Sequence, residues 1–372
     1  MDSKKRIYLD IHILQTVPPS CVNRDDTGSP KTARYGGVTR ARVSSQAWKR
    51  AVRLMFRDMF SKDEVGIRTK RVVELVKEHI TALKPDAEKP EKLAAEALDN
   101  AGVKLSKDKT GTDALFFISA AQASALAKLA VAGEKATKKK ATKKNGNNEN
   151  PYQKALKDDP SVDIALFGRM VASDPSLNYD AAAQVAHAIS THEVRNEFDY
   201  FTAMDDLAPE DNAGAAHLDT TEFNSCTMYR YATAGIHELA GHLGAEEAVR
   251  AAVNFVRAFC LSMPTGKQNS FANRTAPEAA YVAIRKDQPV NLAGAFERPV
   301  RSFAGGYEEP SEEALAAYAQ KTYGTFVEAP KAAFVVGGGE KLDELGRRVS
   351  LEGLVKELEA VLGEMLKENA GD

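Results

Sequence analysis

The sequence predicts an α+β domain of β-α-β-β-α-β type interrupted by a large helical insertion. Three observations point there: an alternating apolar run at residues 6–14, an amphipathic helical pattern at 45–60, and a change to Ala-, Lys- and Glu-rich composition over 64–150 before strand-like patterning returns. At 372 residues the chain can bury a substantial core in two or three domains. Its 43% hydrophobic and 27% charged composition is that of an ordinary globular protein.

The first strand places Ile7, Leu9, Ile11 and Ile13 on one face and Tyr8, Asp10 and His12 on the other, the period of a half-buried strand. With Asp10 and His12 inside it, this run is no signal peptide, and no stretch reaches the roughly 20 apolar residues of a membrane span. Cys21, Cys226 and Cys260 are too few and too scattered for a disulfide framework or a zinc knuckle. The expected location is the cytosol, away from membranes.

Residues 17–37 form a loop punctuated by Pro18, Pro19, Gly28, Pro30, Gly36 and Gly37, and 38–43 form a short strand carrying Arg40 and Arg42. Ser44 or Ser45 then caps a helix reaching about Phe60. Trp48, Val52, Met55 and Met59 recur at helical spacing and bury one face, while Lys49, Arg53 and Arg57 repeat every fourth residue beside Gln46. Between Arg24 and Arg57 there are nine Lys or Arg against Asp25 and Asp26, in a chain whose net charge is only −2. So local a surplus attracts polyanions, and nucleic acid is the first candidate. A basic stripe taken alone is ordinarily a solvated helix face; the Arg-rich loop at the helix N-terminus, where backbone N–H groups also favour phosphate, shifts the reading towards binding.

The insertion contains the helical runs RTKRVVELVKEHITAL, EKLAAEALDNAGV and ALFFISAAQASALAKLAVAG. It ends in the lysine-rich tract 133–150, read as a disordered, solvated loop. Residues 161–170, SVDIALFGRM, read as a strand, and 179–192 as an Ala-rich helix bringing Gln184, His187 and Thr191 together. Two strand-like runs flank the polar segment 208–219 and predict a long hairpin with a projecting tip. A helix at 245–263, a strand at YVAIRKD and a terminal helix at 351–367 follow, in a tail with fourteen Asp or Glu against seven Lys or Arg from residue 307 on.

Several chemistries are excluded by spacing. HELAGH, at 237–242, holds its histidines five apart, about 140° around a helix, where a zinc-binding pair needs four. The glycines at 337–339 lack a following Lys-Ser/Thr, and no Gly-x-Ser-x-Gly elbow occurs. One catalytic alternative stays open: Asp25 or Asp26, set among arginines, could hold Mg²⁺ beside an RNA phosphate for cleavage, although adjacent aspartates are also ordinary loop residues.

The motifs SCVNRDD, GGVTRARVSSQAWKRAVR, VDIALFGRM, AHAISTHEV, DYFTAMDDL, AHLDTTEF and YRYA occur in the order found in the CasC family, the backbone subunit of the type I-E CRISPR complex Cascade, which the chain resembles from about residue 7 to 300. The resemblance implies an RRM-like (ferredoxin-like) palm at 1–63, 161–193 and 233–372, helical fingers at 64–160 and a β-hairpin thumb at 194–232. It implies a non-catalytic subunit without cofactor or metal. Copies would stack head to tail along CRISPR RNA, displace every sixth base with the thumb, and present the guide to target DNA. Further partners would be the large and small subunits, the guide 5′-handle-binding subunit and the guide-processing endonuclease. Matching motifs assign the guide backbone to Arg24, Ser44, Gln46, Lys49 and Arg53, joined by Arg40 and Arg42 of the same basic segment. Met170 and Leu218 would wedge beside the displaced base, with Tyr200, Phe201 and Thr202 at the thumb's root.

Overall fold

A computed structural model describes residues 5–136, 150–171, 173–203, 217–303 and 305–371. The strands are Tyr8–Ser20 (β1), Thr32–Tyr35 (β2), Val38–Val43 (β3), Ile67–Thr69 (β4), Phe116–Ile118 (β5), Ala183–Val185 (β6), Ala188–Ser190 (β7), Glu197–Ala203 (β8), His217–Gly235 (β9), Ala279–Arg285 (β10), Ala332–Gly337 (β11) and Arg347–Arg348 (β12). The helices are Ser45–Met59 (α1), Val72–Leu83 (α2), Pro90–Asn100 (α3), Ala120–Ala136 (α4), Pro151–Lys157 (α5), Val162–Phe167 (α6), Ile236–Leu243 (α7), Ala245–Leu261 (α8), Gln268–Phe271 (α9), Glu308–Thr325 (α10) and Leu351–Gly371 (α11). They make a mixed α+β fold divided into two units. Unit 1 comprises Met1–Met55, Val185–Gly235 and Ala252–Asp372; unit 2 comprises Phe56–Gln184 and Ile236–Ala251.

Unit 1 is built on a sheet of order β12-β11-β10-β1-β9-β7-β3-β2. Strand β1 is antiparallel to both neighbours, pairing Tyr8↔Arg285 through Leu14↔Ala279 with β10 and Tyr8↔Gly235 through Ser20↔Asn224 with β9. Beyond Asn224 the same strand β9 pairs with β8, from Glu197↔Phe223 to Ala203↔His217. The predicted hairpin is thus β8 with the first part of a 19-residue strand that continues into the sheet. Its tip falls on 204–216, outside the described residues.

Strand β1 is buried on both faces, not one. Leu9, Ile11 and Ile13 are fully buried as expected, but so are Asp10 and His12. Their face, shared with Leu14, Tyr229, Tyr231 and Tyr281, packs against Leu292, Phe296 and Leu315, Ala316 and Ala319 of α10. Helix α10 was not legible in the acidic tail, whose Pro310 falls within the first turn, where a helix tolerates it.

The buried polar pair has a measurable signature. Tyr231 Oη–H and Val290 N–H each donate to the Asp10 carboxylate at 2.9 Å, yet burial raises its pKa to about 6. His12 shares a 2.8 Å hydrogen bond with Tyr229 Oη, and burial, with Arg285 adding a smaller push, lowers its pKa to about 3. Asp10, raised above its unfolded value, stabilises fully below about pH 4 and loses that contribution as pH rises through 6. His12, depressed, stabilises above about pH 6.5 and loses its contribution as pH falls towards 3. From pH 6 to 4 Asp10 therefore adds about 2 kcal/mol and His12 removes about 2.5, so the pair nearly cancels. Asp10→Asn is expected to lose about 2 kcal/mol relative to the parent over that interval in urea titrations; an unchanged difference between pH 6 and 4 refutes the assignment.

Unit 2 gathers the predicted helical runs. Val72, Val76 and Ile80 of α2, Ala94 and Leu98 of α3, Leu126 and Ala127 of α4, and Leu156 of α5 form one core, with β4 and β5 pairing Ile67↔Ile118. Residues 137–149 of the lysine tract lie outside the described residues. Two assignments reverse. The segment 161–170 contains helix α6, not a strand: the Asp163 carboxylate accepts hydrogen bonds from Gly66 N–H (2.7 Å) and Ser161 Oγ (2.8 Å). The segment 179–192 contains β6 and β7, not a helix; Ile189 pairs with both Arg42 and Tyr229, so sheet pairing overrides alanine's helix preference.

Candidate nucleic-acid interface

Helix α1 is held from below by Trp48, Ala51, Val52 and Phe56, all buried, whereas Met55 and Met59 are only half-buried. The buried stripe is thus rotated slightly from the expected one. Trp48 carries the Arg230 guanidinium 3.7 Å over its ring; Arg230 also donates to Gln15 Oε1 (2.6 Å) and to the carbonyl of Phe259. Ser44 caps the helix, its Oγ accepting from Ala47 N–H at 3.3 Å. Its own N–H donates to Asn23 Oδ1 at 2.9 Å, which ties the loop to the helix N-terminus.

On the outer face Gln46, Arg50 and Arg57 are exposed, and Lys49 and Arg53 half-buried. By helical geometry all five fall within an arc of about 100°. Arg50 also lines a cleft of about 470 Å³ between α1, the loop bearing exposed Arg24, and residues 263–266. Gly266 is required there, because an added Cβ would lie 2.0 Å from the Val22 carbonyl oxygen. The sequence reading did not single out Arg50 as a site residue; its place at i+4 from Gln46 was the available signal.

Arg40 departs from expectation. It is fully buried and donates to the carbonyls of Tyr35 (3.1 Å), Ser190 (2.9 Å) and Phe296 (2.8 Å), so in this structure its guanidinium has no access to a phosphate. The neighbouring turn depends on Gly36, at φ +59°, where a Cβ would meet the Glu297 carbonyl at 1.6 Å. Arg42 is half-buried, donating to Thr32 O (3.0 Å) and bonded to His187 Nδ1 (3.1 Å). Partial burial and then the positive charges of Arg42 and Lys31 lower the His187 pKa, keeping it a neutral acceptor.

Asp25 is engaged by its own loop: Oδ1 accepts from Thr27 N–H (2.9 Å), Thr27 Oγ–H (2.7 Å) and Ser29 N–H (3.0 Å). These bonds, the Thr27 hydroxyl first, lower its pKa. Asp26 is exposed on the cleft rim.

On the hairpin, Tyr200 and Phe201 are 64% and 39% exposed, and Thr202 is exposed. Leu218 stands opposite Thr202 in the register. Phe198, two residues before Tyr200 and therefore on the same strand face, is 67% exposed and extends this aromatic surface. Alternation in the sequence showed that shared face without marking Phe198 as a site residue. The hairpin base is braced by Phe223 against Phe271 (5.9 Å between ring centroids) and by Lys267 donating to Thr221 Oγ1 (3.2 Å).

Met170, in unit 2, is 85% exposed on a fixed support. The preceding Arg169 is buried and donates to the carbonyls of Leu177 (3.0 Å), Phe117 (3.2 Å) and Leu156 (2.7 Å) and to Gln122 Oε1 (3.2 Å). The following residue Val171 donates its N–H to Asn178 Oδ1 at 2.7 Å.

The chain is similar to a chain of a structure described as a CRISPR RNA-guided surveillance complex, pre-nicking, at 32% identity and TM-score 0.80, covering 95% of this chain and 100% of that one. It is also similar to a chain of a second CRISPR RNA-guided surveillance complex at 29% identity and TM-score 0.62, covering 95% and 99%. No protein of curated function matches it in sequence. The CT1975-like protein family matches residues 9–362, nearly the whole chain, and the protein belongs to that family.

Proposed function

We propose that the chain is a non-catalytic CRISPR RNA-binding subunit of a Cascade-type surveillance complex, of type I-E. Copies stack head to tail along the guide and leave its bases to pair with target DNA. The observation that carries this reading is the cationic outer face of α1, with Gln46, Lys49, Arg50 and Arg53 beside Arg24, in a chain 32% identical over 95% of its length to one from an RNA-guided complex. The strand order β10-β1-β9-β7, with α1 and α8 in its connections, fits an RRM-like palm. Because β1 is covered on both faces, the guide runs along the helix and loops and not across the centre of the sheet. Such contact is to phosphate, tolerant of sequence and sensitive to salt. Met170 and the hairpin residues Tyr200, Phe201, Thr202 and Leu218 serve as wedges and stacking surfaces that unstack the displaced base.

Four cations on the guide backbone predict that log K falls with log salt at a slope of about −3 per copy. A salt series of RNA binding checks this, and a slope near zero refutes the phosphate-tracking mode. The same RNA-bound protein, incubated with labelled complementary RNA and Mg²⁺, is expected to leave that RNA intact. Regularly spaced cuts abolished by Asp26→Ala would instead establish the ribonuclease reading; both aspartates are exposed on the cleft, and the bonds that Thr27 and Ser29 make to the Asp25 carboxylate favour Asp26 for that role.

A further inference from the structure

Unit 1 carries a side chain with almost no packing partner of its own. Phe303 is 98% exposed, on a strap that runs from the Leu292–Phe296 turn to α10. The strap is tied down on either side of it. The Phe296 carbonyl accepts from Arg40 (2.8 Å), Val300 N–H donates to Thr191 O (3.0 Å), and Tyr307 stacks on His192 with centroids 3.6 Å apart. Between these anchors Arg298 and Arg301 are exposed, so the strap presents a phenyl ring accompanied by two guanidinium groups.

Unit 2 carries a groove of opposite character. It encloses about 310 Å³ and is lined by Asp63, Glu64, Asp159 and Glu247, with Val162 and Leu243 among its apolar residues and no Lys or Arg among the described residues of its lining. Arg250 bridges Glu64 and Glu247, which leaves carboxylates in excess at the site. Asp159 holds a left-handed conformation, φ +48°, in which its carbonyl accepts from Ser119 Oγ at 2.9 Å.

We propose that Phe303, with Arg298 and Arg301, of one copy docks into the carboxylate groove of the next copy. The inference rests on the head-to-tail reading and names its contact. Two different surfaces of one sequence that complement each other in charge and in apolar content form a heterologous interface. Such an interface repeats without closing when the rotation between copies does not return to the start. Opposite charge across it sets register and rejects wrong pairings, and the phenyl ring gains the burial it lacks in the single chain.

The test is a charge swap on the full chain. One variant carries Arg298→Glu and Arg301→Glu; the other carries Asp63→Lys and Asp159→Lys. Mass measurement on a long guide RNA is expected to show several copies for the parent and single copies for each variant alone. An equal mixture of the two variants restores multi-copy assemblies, because each reversed surface then meets its complement. Phe303→Ser is expected to weaken stacking about 30-fold, the burial of one phenyl side chain expressed as an equilibrium constant. Affinity for a short RNA that holds one copy stays at the parental value throughout.

Either charge variant assembling like the parent overturns the proposal, as does a mixture that fails to restore assembly. Loss of short-RNA affinity in the strap variant also overturns it, by making the strap an RNA contact. If the parent itself binds long RNA only as single copies, the head-to-tail reading fails, a result distinct from failure of the swap alone.

Discussion

The double variant Lys49→Glu, Arg53→Glu is expected to fold normally and to lose its guide RNA. Helix α1 is anchored by Trp48, Ala51, Val52 and Phe56 on its other side, so changing two half-buried residues of the outer face should cost about 1 kcal/mol or less. At the interface two cations become two anions. A hydrogen bond to a charged group contributes about 1.5–3 kcal/mol, so losing two, with added repulsion, lowers affinity by about 10²–10⁴-fold. Fluorescence anisotropy on labelled RNA, with thermal melts as the folding control, checks both halves. Binding within threefold of the parent would refute placing the guide on this face.

The second large effect is on stability and separates two neighbours in sequence. Arg169→Ala removes a buried guanidinium that donates to three carbonyls and one side-chain amide. Burial lowers its pKa only to about 10, so it is charged at neutral pH. Its loss strips a charged donor from four acceptors around a cavity, two of which, Leu156 O and Gln122 Oε1, keep a second donor in Gln122 Nε2 and Ser119 N–H, and about 3–5 kcal/mol of unfolding free energy should disappear. Arg169→Lys should recover little, because one ammonium cannot reproduce a planar fork reaching four acceptors. Met170→Ala, one residue on and 85% exposed, should leave the unfolding midpoint unchanged while weakening RNA binding. Urea titrations of the three variants decide it; equal midpoints for Arg169→Ala and the parent would dismiss the anchoring role.

Much of this architecture is written locally in the sequence. Period-two alternation marked β1 and β3, and i, i+4 spacing marked α1 and its basic face. The two strand-like runs around a polar segment marked the β8–β9 hairpin. What escaped depends on partners distant in sequence. Six residues such as Val162–Phe167 are too few for periodicity to separate strand from helix, and the Asp163 bond to Gly66, 97 residues away, belongs to the helical solution. Ala188–Ser190 reads as helix by composition and becomes strand because β3 and β9 offer unpaired backbone. Arg40 and Arg42 look equivalent in VTRARV; only the carbonyls of Ser190 and Phe296 make the first a buried tie and leave the second half-buried. The same limit applies to Phe303, whose exposure no neighbour in sequence announces.

The continuity of β9 has a mechanical consequence. From His217 to Ala234 it contains neither Gly nor Pro, and its backbone passes from pairing with β8 to pairing with β1 at Phe223–Asn224 without a connecting loop. A beam of this kind has no loop to pivot on: swinging the hairpin outward strains ladder bonds and the Phe223–Phe271 brace. Under the proposed head-to-tail stacking, a polymer lying beside it would be enclosed as each copy is added, so the order of assembly, and not the motion of a part, would be the step that captures the strand.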